Sequence, residues 1–184
     1  MHILTIQTFG SMGPTRCTPL PWPIQDASEI LPLRWPPGVA VLEWGSEAAV
    51  ASFEAYKTAF RERPGFPAWS QAEWLERLTG DPDFMHGASL CALLDGEPAG
   101  FVVCSRGWID QVGVVPAHRR LGLATALTAE ASARLGGLGF DVVRLHVNVN
   151  NAGALATWQR LGFRDCGRRG RFERVVPTGD ADTR

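Results

Sequence analysis

Residues 108–137 constrain the fold more tightly than any other stretch of the chain. Trp108-Ile109-Asp110-Gln111-Val112-Gly113-Val114-Val115 has the β-branched and aromatic content of a strand, and Pro116 ends it by removing a donor. A helix is predicted from near Gly122, because Leu123, Leu127, Ala131 and Leu135 recur at every fourth position, and Gly136-Gly137 stops it. A strand, a short turn and a helix in that order need a sheet on which the helix can lie.

The neighbouring segments supply that sheet. Val39 to Leu42 reads as a short strand, and Ser46 opens a helix running to about Arg63 with Val50, Phe53 and Phe60 on one face. Ser70-Gln71-Ala72-Glu73 is a capping box that starts a second helix, with Trp74, Leu75 and Leu78 turned inward. Strands Ala88–Leu94 and Ala99–Cys104 flank the hairpin turn Asp95-Gly96. Asp141 to Val149 is a valine-rich strand, Asn151 to Leu161 a helix, and Phe163–Cys166 with Phe172–Val176 a last pair of strands. The predicted order is β-α-α-β-β-β-α-β-α-β-β, a mixed α/β sheet in the α+β manner.

Before this domain, residues 1–37 hold seven of the thirteen prolines, so an extended arm is expected there, followed by one domain over 38–176 and a tail over 177–184. A chain of 184 residues with 45% hydrophobic residues is long enough to bury a core, which excludes a small disulfide scaffold. The formal net charge of −1 provides no global field for nucleic acid or an anionic membrane, and no apolar run is long enough to span a bilayer. Cys17, Cys91, Cys104 and Cys166 form no C-x-x-C and no metal-ligand spacing, so no metal is expected. They read as thiols of a reducing compartment, and the expected location is the cytoplasm.

The junction after Val115 carries the chemistry. Arg119-Arg120-Leu121-Gly122-Leu123-Ala124 fits (Gln/Arg)-x-x-Gly-x-(Gly/Ala) at the start of a helix, where unpaired N–H groups and the helix dipole favour an anion. The same pattern recurs at Arg134-Leu135-Gly136-Gly137-Leu138-Gly139, but at a helix C-terminus, where carbonyls point outward. Context, rather than the pattern, selects the first as a phosphate seat.

Further along, Leu145-His146-Val147 leads through Asn151 into Leu155-Ala156-Thr157-Trp158-Gln159-Arg160-Leu161-Gly162-Phe163. Together with Val115-Pro116 and the Arg/Gly turn, this run resembles the GNAT superfamily of N-acetyltransferases over about Ala88 to Val176. Ile109–Val114 and Leu145–Val147 are most similar to mycothiol-synthase-like members, which carry two such domains where this chain has room for one. The resemblance implies a mostly antiparallel sheet, splayed where acetyl-CoA binds. It assigns the pantetheine to Val112, Gly113 and Val114, with the Val114 N–H as an oxyanion donor. Arg120, Leu121, Gly122, Leu123, Ala124 and Thr125 would hold the pyrophosphate, with Arg119 adding a cationic donor. Asn151 would contact the cofactor, or simply cap its helix, or do both.

Transfer to an amine needs a base, because an alkyl ammonium has a pKa near ~10. Asp110 stands where the family often has its acidic base, and His146 where some members carry Glu; a surface carboxylate and a satisfied strand histidine are the plain alternatives. Strict alternation would put Asp110, Val112 and Val114 on one face. The family's usual acid is a Tyr, and here Trp158 holds that position. An indole N–H is no proton source near neutral pH. The sole tyrosine, Tyr56, lies on the first helix, which the resemblance places beside the acceptor site; Tyr56 is expected in the substrate pocket or on the surface, and Trp158 is expected to shape the pocket. Two readings follow: an N-acetyltransferase acting on a small-molecule or peptide amine in a ternary complex, or an acetyl-CoA-binding sensor with weak or no catalysis. Residues 160–174 carry six arginines, which could form a nucleic-acid stripe, touch the 3′-phosphate or face solvent; the overall charge argues against nucleic acid. His118 and Glu130 read as solvated, and both a monomer and a homodimer fit the sequence.

Overall fold

The computed structural model describes residues 2–9, 34–63, 65–148 and 150–170. Thirteen short segments reduce to eleven regular elements besides two single 3₁₀ turns, His86–Ala88 and Pro116–His118. The strands are β1 (His2–Phe9), β2 (Val39–Glu43), β3 (Leu90–Leu94), β4 (Glu97–Ser105), β5 (Trp108–Val114), β6 (Val142–Asn148) and β7 (Arg164–Gly170). The helices are α1 (Ser46–Phe60), α2 (Gln71–Thr79), α3 (Leu123–Gly137) and α4 (Ala152–Arg160). The strands form one sheet in the order β2-β3-β4-β5-β6-β1-β7. Every neighbouring pair is antiparallel except β5 with β6.

The core lies on both faces of this sheet, and β4 shows why. Val102 and Cys104 are buried with Leu123, Leu127 and Leu135 of α3, while Phe101 and Val103 are buried with Phe53 and Tyr56 of α1 and Trp74 of α2. Alternate residues of one strand therefore feed two helical layers. On α3 the stripe Leu123, Leu127, Ala131 and Leu135 is buried as its spacing predicts, and burial of each Leu stabilises the fold by roughly 1.5–3 kcal/mol. On α2 the predicted capping box is present: Ser70 accepts from the Glu73 N–H, and Glu73 accepts from the Ser70 N–H at 2.7 Å.

Several expectations change. Residues 2–9, assigned to the arm, form a strand between β6 and β7, so the sheet begins before Gly38. Helix α1 stops at Phe60 rather than near Arg63, and Val50 is 47% exposed, because the buried stripe of α1 runs through Ala48, Ser52, Ala55, Tyr56 and Ala59 instead. Leu75 and Leu78 are only partly buried beside the fully buried Trp74. β3 begins at Leu90, after a 3₁₀ turn over His86–Ala88. The strand expected at Phe163–Cys166 is β7, Arg164–Gly170. The remainder of the proline-rich arm (10–33), Val149, the expected strand 172–176 and the tail 177–184 lie outside the described residues.

Candidate functional site: the fork between β5 and β6

β5 and β6 pair at only two positions, Trp108 with Arg144 and Ile109 with Leu145. Beyond Ile109 they part, while β5 stays paired to β4 as far as Gly100 with Val114. The register of β4 on β5 slips between Val103 and Cys104, where Gln111 and Ile109 are the successive partners. Asp110 is therefore the extra residue of a β-bulge, sitting at the point of the fork. This bulge corrects the expected alternation: Val112 and Val114 share the α3-side cluster with Ile109, not a face with Asp110.

The ladder also decides which backbone groups of β5 are free. The Val115 N–H donates to the Ala99 carbonyl at 2.9 Å, so in an antiparallel ladder Gly113 bonds inward to Phe101 while Val112 and Val114 turn their N–H groups toward the fork. Of the three residues expected to line a pantetheine, two thus present backbone donors to the opening. Gly113 has a packing role instead: a Cβ there would lie 2.6 Å from Phe101 Cε1 and 3.2 Å from Ala59 Cβ.

At the far end of β5, the turn expected to hold phosphate has backbone in the left-handed region at Arg120 (φ 69°) and Gly122 (φ 90°). Gly122 is the N-cap of α3, and no side chain caps that end, in contrast to α2. The first-turn N–H groups at Leu123, Ala124 and Thr125 are thus left for an external acceptor, and a Cβ on Gly122 would meet nothing within 4 Å. Leu121 is 50% exposed beside them. An anionic group such as a pyrophosphate fits this donor set. The Arg119 guanidinium donates to the protein's own backbone, its Nε to the Val114 carbonyl (3.3 Å) and its Nη2 to the Ala59 carbonyl (3.2 Å).

Asp110 sits beside Ser105 and Asp81. Desolvation, helped by the nearby Asp81 carboxylate and opposed by a hydrogen bond from Ser105, raises its pKa above the ordinary Asp value. His146 is exposed on β6, next along from the last β5–β6 pair, with its ring stacked on Trp108 at 4.8 Å. The fork therefore brings the two candidate bases onto neighbouring strands. Asn151 caps α4, its Oδ1 accepting from the Ala154 N–H at 3.1 Å.

The two expected pocket aromatics are placed differently. Tyr56 is 4% exposed, in a box of rings from Phe60, Phe66, Trp69, Trp74 and Phe101, and burial raises its hydroxyl pKa. Trp158, also 4% exposed, packs in the core cluster with Leu123, Leu127 and Val147. Sequence reasoning missed Trp108, Ser105, Asp81 and Gln111, whose side-chain carbonyl oxygen is buried with no partner among the described residues. The β-bulge at Asp110, around which they lie, leaves no signal in residue spacing. His118 lies in the turn after β5, and Glu130 is paired with Arg134 at 2.7 Å. Among the described residues no three metal-ligating side chains come together, and no helix is long and apolar enough to cross a membrane.

A parallel pair that forks beside a bulge, leading to an uncapped helix N-terminus, matches the arrangement implied by the sequence resemblance. The profile of the Acetyltransferase (GNAT) family covers residues 24–163. This chain belongs to that family. An uncharacterised N-acetyltransferase of Methanocaldococcus jannaschii is 32% identical over 104 residues, which are 50% of this chain and 43% of that protein. A mycothiol acetyltransferase of Paenarthrobacter aurescens is 32% identical over 119 residues, covering 59% of this chain and 37% of the other. The chain thus spans less than half the length of these curated relatives. Among solved structures, a GCN5-related N-acetyltransferase from Sphaerobacter thermophilus superposes with a TM-score of 0.66 at 23% identity, over 91% of this chain and 49% of that one. That last likeness is one of fold. The GNAT domain seen here includes β1, which lies outside the residues matched by the family profile.

Proposed function

We propose that the chain is an N-acetyltransferase moving an acetyl group from acetyl-CoA to a primary amine of a small molecule or peptide, by direct attack in a ternary complex. The observation that carries this reading is the fork: β5 leaves β6 after Ile109 with the N–H groups of Val112 and Val114 turned into the opening. In this reading those two groups align the donor's pantetheine, and the α3 N-terminus from Gly122 to Thr125, with the backbone of Arg120 and Leu121, holds its pyrophosphate. Asn151 keeps its amide nitrogen for a donor contact while its oxygen caps α4.

Asp110 or His146 takes the proton from the incoming ammonium, directly or through a water. Asp110 suits the task because desolvation has already moved its carboxyl toward the range of a working base. The amine nitrogen then forms its bond to the thioester carbon, and the Val114 N–H stabilises the charge that develops on the carbonyl oxygen. The C–S bond breaks, and the thiolate, with a pKa near ~8.5 for a thiol, leaves without an acid and takes its proton from water. Trp158 therefore favours no separate sensor reading: a buried core ring neither helps nor prevents departure.

The test pairs calorimetry of acetyl-CoA with free-thiol release over a panel of amines and peptides. Binding with turnover on at least one amine supports the reading. Binding with no turnover across the panel points to the sensor, and no binding overturns both.

A further inference from the structure

We propose that Arg119 is a positioning residue: its guanidinium ties the end of α1 to the end of β5, so that the acceptor-side helix and the phosphate turn hold one fixed spacing. The inference rests on the function proposed above and adds a role that the phosphate-seat reading of this arginine does not contain.

Three observations carry it. The two hydrogen bonds run from one planar fork to two main-chain carbonyls, Val114 at 3.3 Å and Ala59 at 3.2 Å, and Ala59 lies 60 residues away in the chain. Both carbonyls are ones that regular structure leaves without a partner. Ala59 lies in the last turn of α1, which ends at Phe60, and helix C-terminal carbonyls have no intrahelical donor and favour a cation. Val114 faces away from β4 by the alternation of the ladder. Finally, α1 and β5 are already close here, since a Cβ on Gly113 would meet Ala59 Cβ at 3.2 Å, so a small drift of the helix would be felt directly at the fork. The main chain of Arg119 continues into Arg120 and Gly122, the left-handed positions that shape the phosphate turn. One side chain therefore joins the two halves of the site through backbone groups. A lysine carries the charge but not the fork, and cannot span both carbonyls.

The experiment compares Arg119→Met and Arg119→Lys with the wild type, using acetyl-CoA and S-acetylpantetheine as alternative donors; the second lacks the pyrophosphate and nucleotide. A strut predicts a fall of about tenfold in kcat with both donors alike, because misplacing reacting groups by even a fraction of an ångström is costly, and it predicts that Lys rescues neither. A loss confined to acetyl-CoA and restored by Lys would make Arg119 a phosphate ligand and overturn the proposal. Hydrogen exchange on the protein alone gives an independent readout. The last-turn amides of α1 should exchange several-fold faster in both variants, and unchanged exchange also overturns the proposal. This second readout needs no donor. Faster exchange in a protein that transfers nothing would retain the strut and count against the proposed reaction.

Discussion

Gly113→Ala puts the packing at the fork to a quantitative test. The new methyl group would lie 2.6 Å from Phe101 Cε1, 3.3 Å from its Cζ and 3.2 Å from Ala59 Cβ. The first distance is well inside carbon contact, so Phe101 or the helix must move. Phe101 has 0% exposure and is held by rings of Tyr56, Phe60 and Trp74 at centroid distances of 6.1, 5.8 and 6.0 Å. Overpacking of this kind costs about 1–3 kcal/mol. For a chain of this size that lowers Tm by about 3–9 °C, at roughly 3 °C per kcal/mol. Thermal unfolding followed by circular dichroism measures it. A double-mutant cycle identifies the cause: adding Phe101→Leu should cost less in the Gly113→Ala background than in the wild type, because it removes the clashing ring edge. Gly122→Ala is the contrasting case, since its Cβ meets nothing within 4 Å and only the left-handed φ of 90° is strained, at about 1–2 kcal/mol. A Gly113→Ala protein melting within a degree of the wild type would refute the argument.

Other predictions concern the site itself. Gly122→Val should leave a folded protein whose affinity for acetyl-CoA in calorimetry is at least ~10-fold weaker, as a side chain fills the anion's approach; undiminished affinity would remove the phosphate seat from this turn. Trp158→Tyr should leave kcat unchanged while lowering Tm, because the indole is buried in the core; a clear rise in kcat would show that this position reaches the leaving sulfur. For Asp110 the folded pKa is raised, mainly by desolvation, so the charged form is the disfavoured one. Its contribution to stability is complete below the unfolded Asp pKa of about 3.9 and is lost as pH rises through the folded value. Asp110 is exposed at its bulge, so solvent screens the effect: Asp110→Asn should raise Tm only slightly at pH 7 and not at pH 3, and a variant less stable than the wild type at pH 7 would contradict the desolvation argument.

The order of helices and strands from Val39 onward was largely legible, because it rests on local signals. The four-residue stripe of α3 and the Ser70 capping box act over a few residues, and both are present. The turn proposed to hold phosphate was legible as a turn for the same reason, since a strand end, a glycine and a helix start are neighbours in the chain. What the sequence hid depends on distant contacts or on a slip in register. The bulge at Asp110 reverses the parity of everything after it on β5, so Val112 and Val114 take the α3 side. The tie from Arg119 to Ala59 was hidden because the two lie 60 residues apart in the chain. Val50 looked internal because a helical stripe can be drawn through more than one set of residues, and small alanines define the true one. The proline count gave no hint that the residues before those prolines join the sheet.

That first strand has a temporal consequence. β1 pairs with β6 from Ile3 with Asn148 to Phe9 with Val142, and with β7 from His2 with Gly170 to Gln7 with Arg164. Both of its partners are made long after it. At about 5–20 residues per second, a ribosome needs on the order of ten seconds to add the intervening ~130 residues. Throughout that interval residues 2–9 have neither of the strands they pair with in the folded sheet, and their backbone groups can pair with any other exposed edge. The final closure of the sheet is thus a late, long-range event that joins the two ends of the described chain. A protein released before β7 is complete would hold its fork already built, yet still lack the neighbour that closes over its first strand.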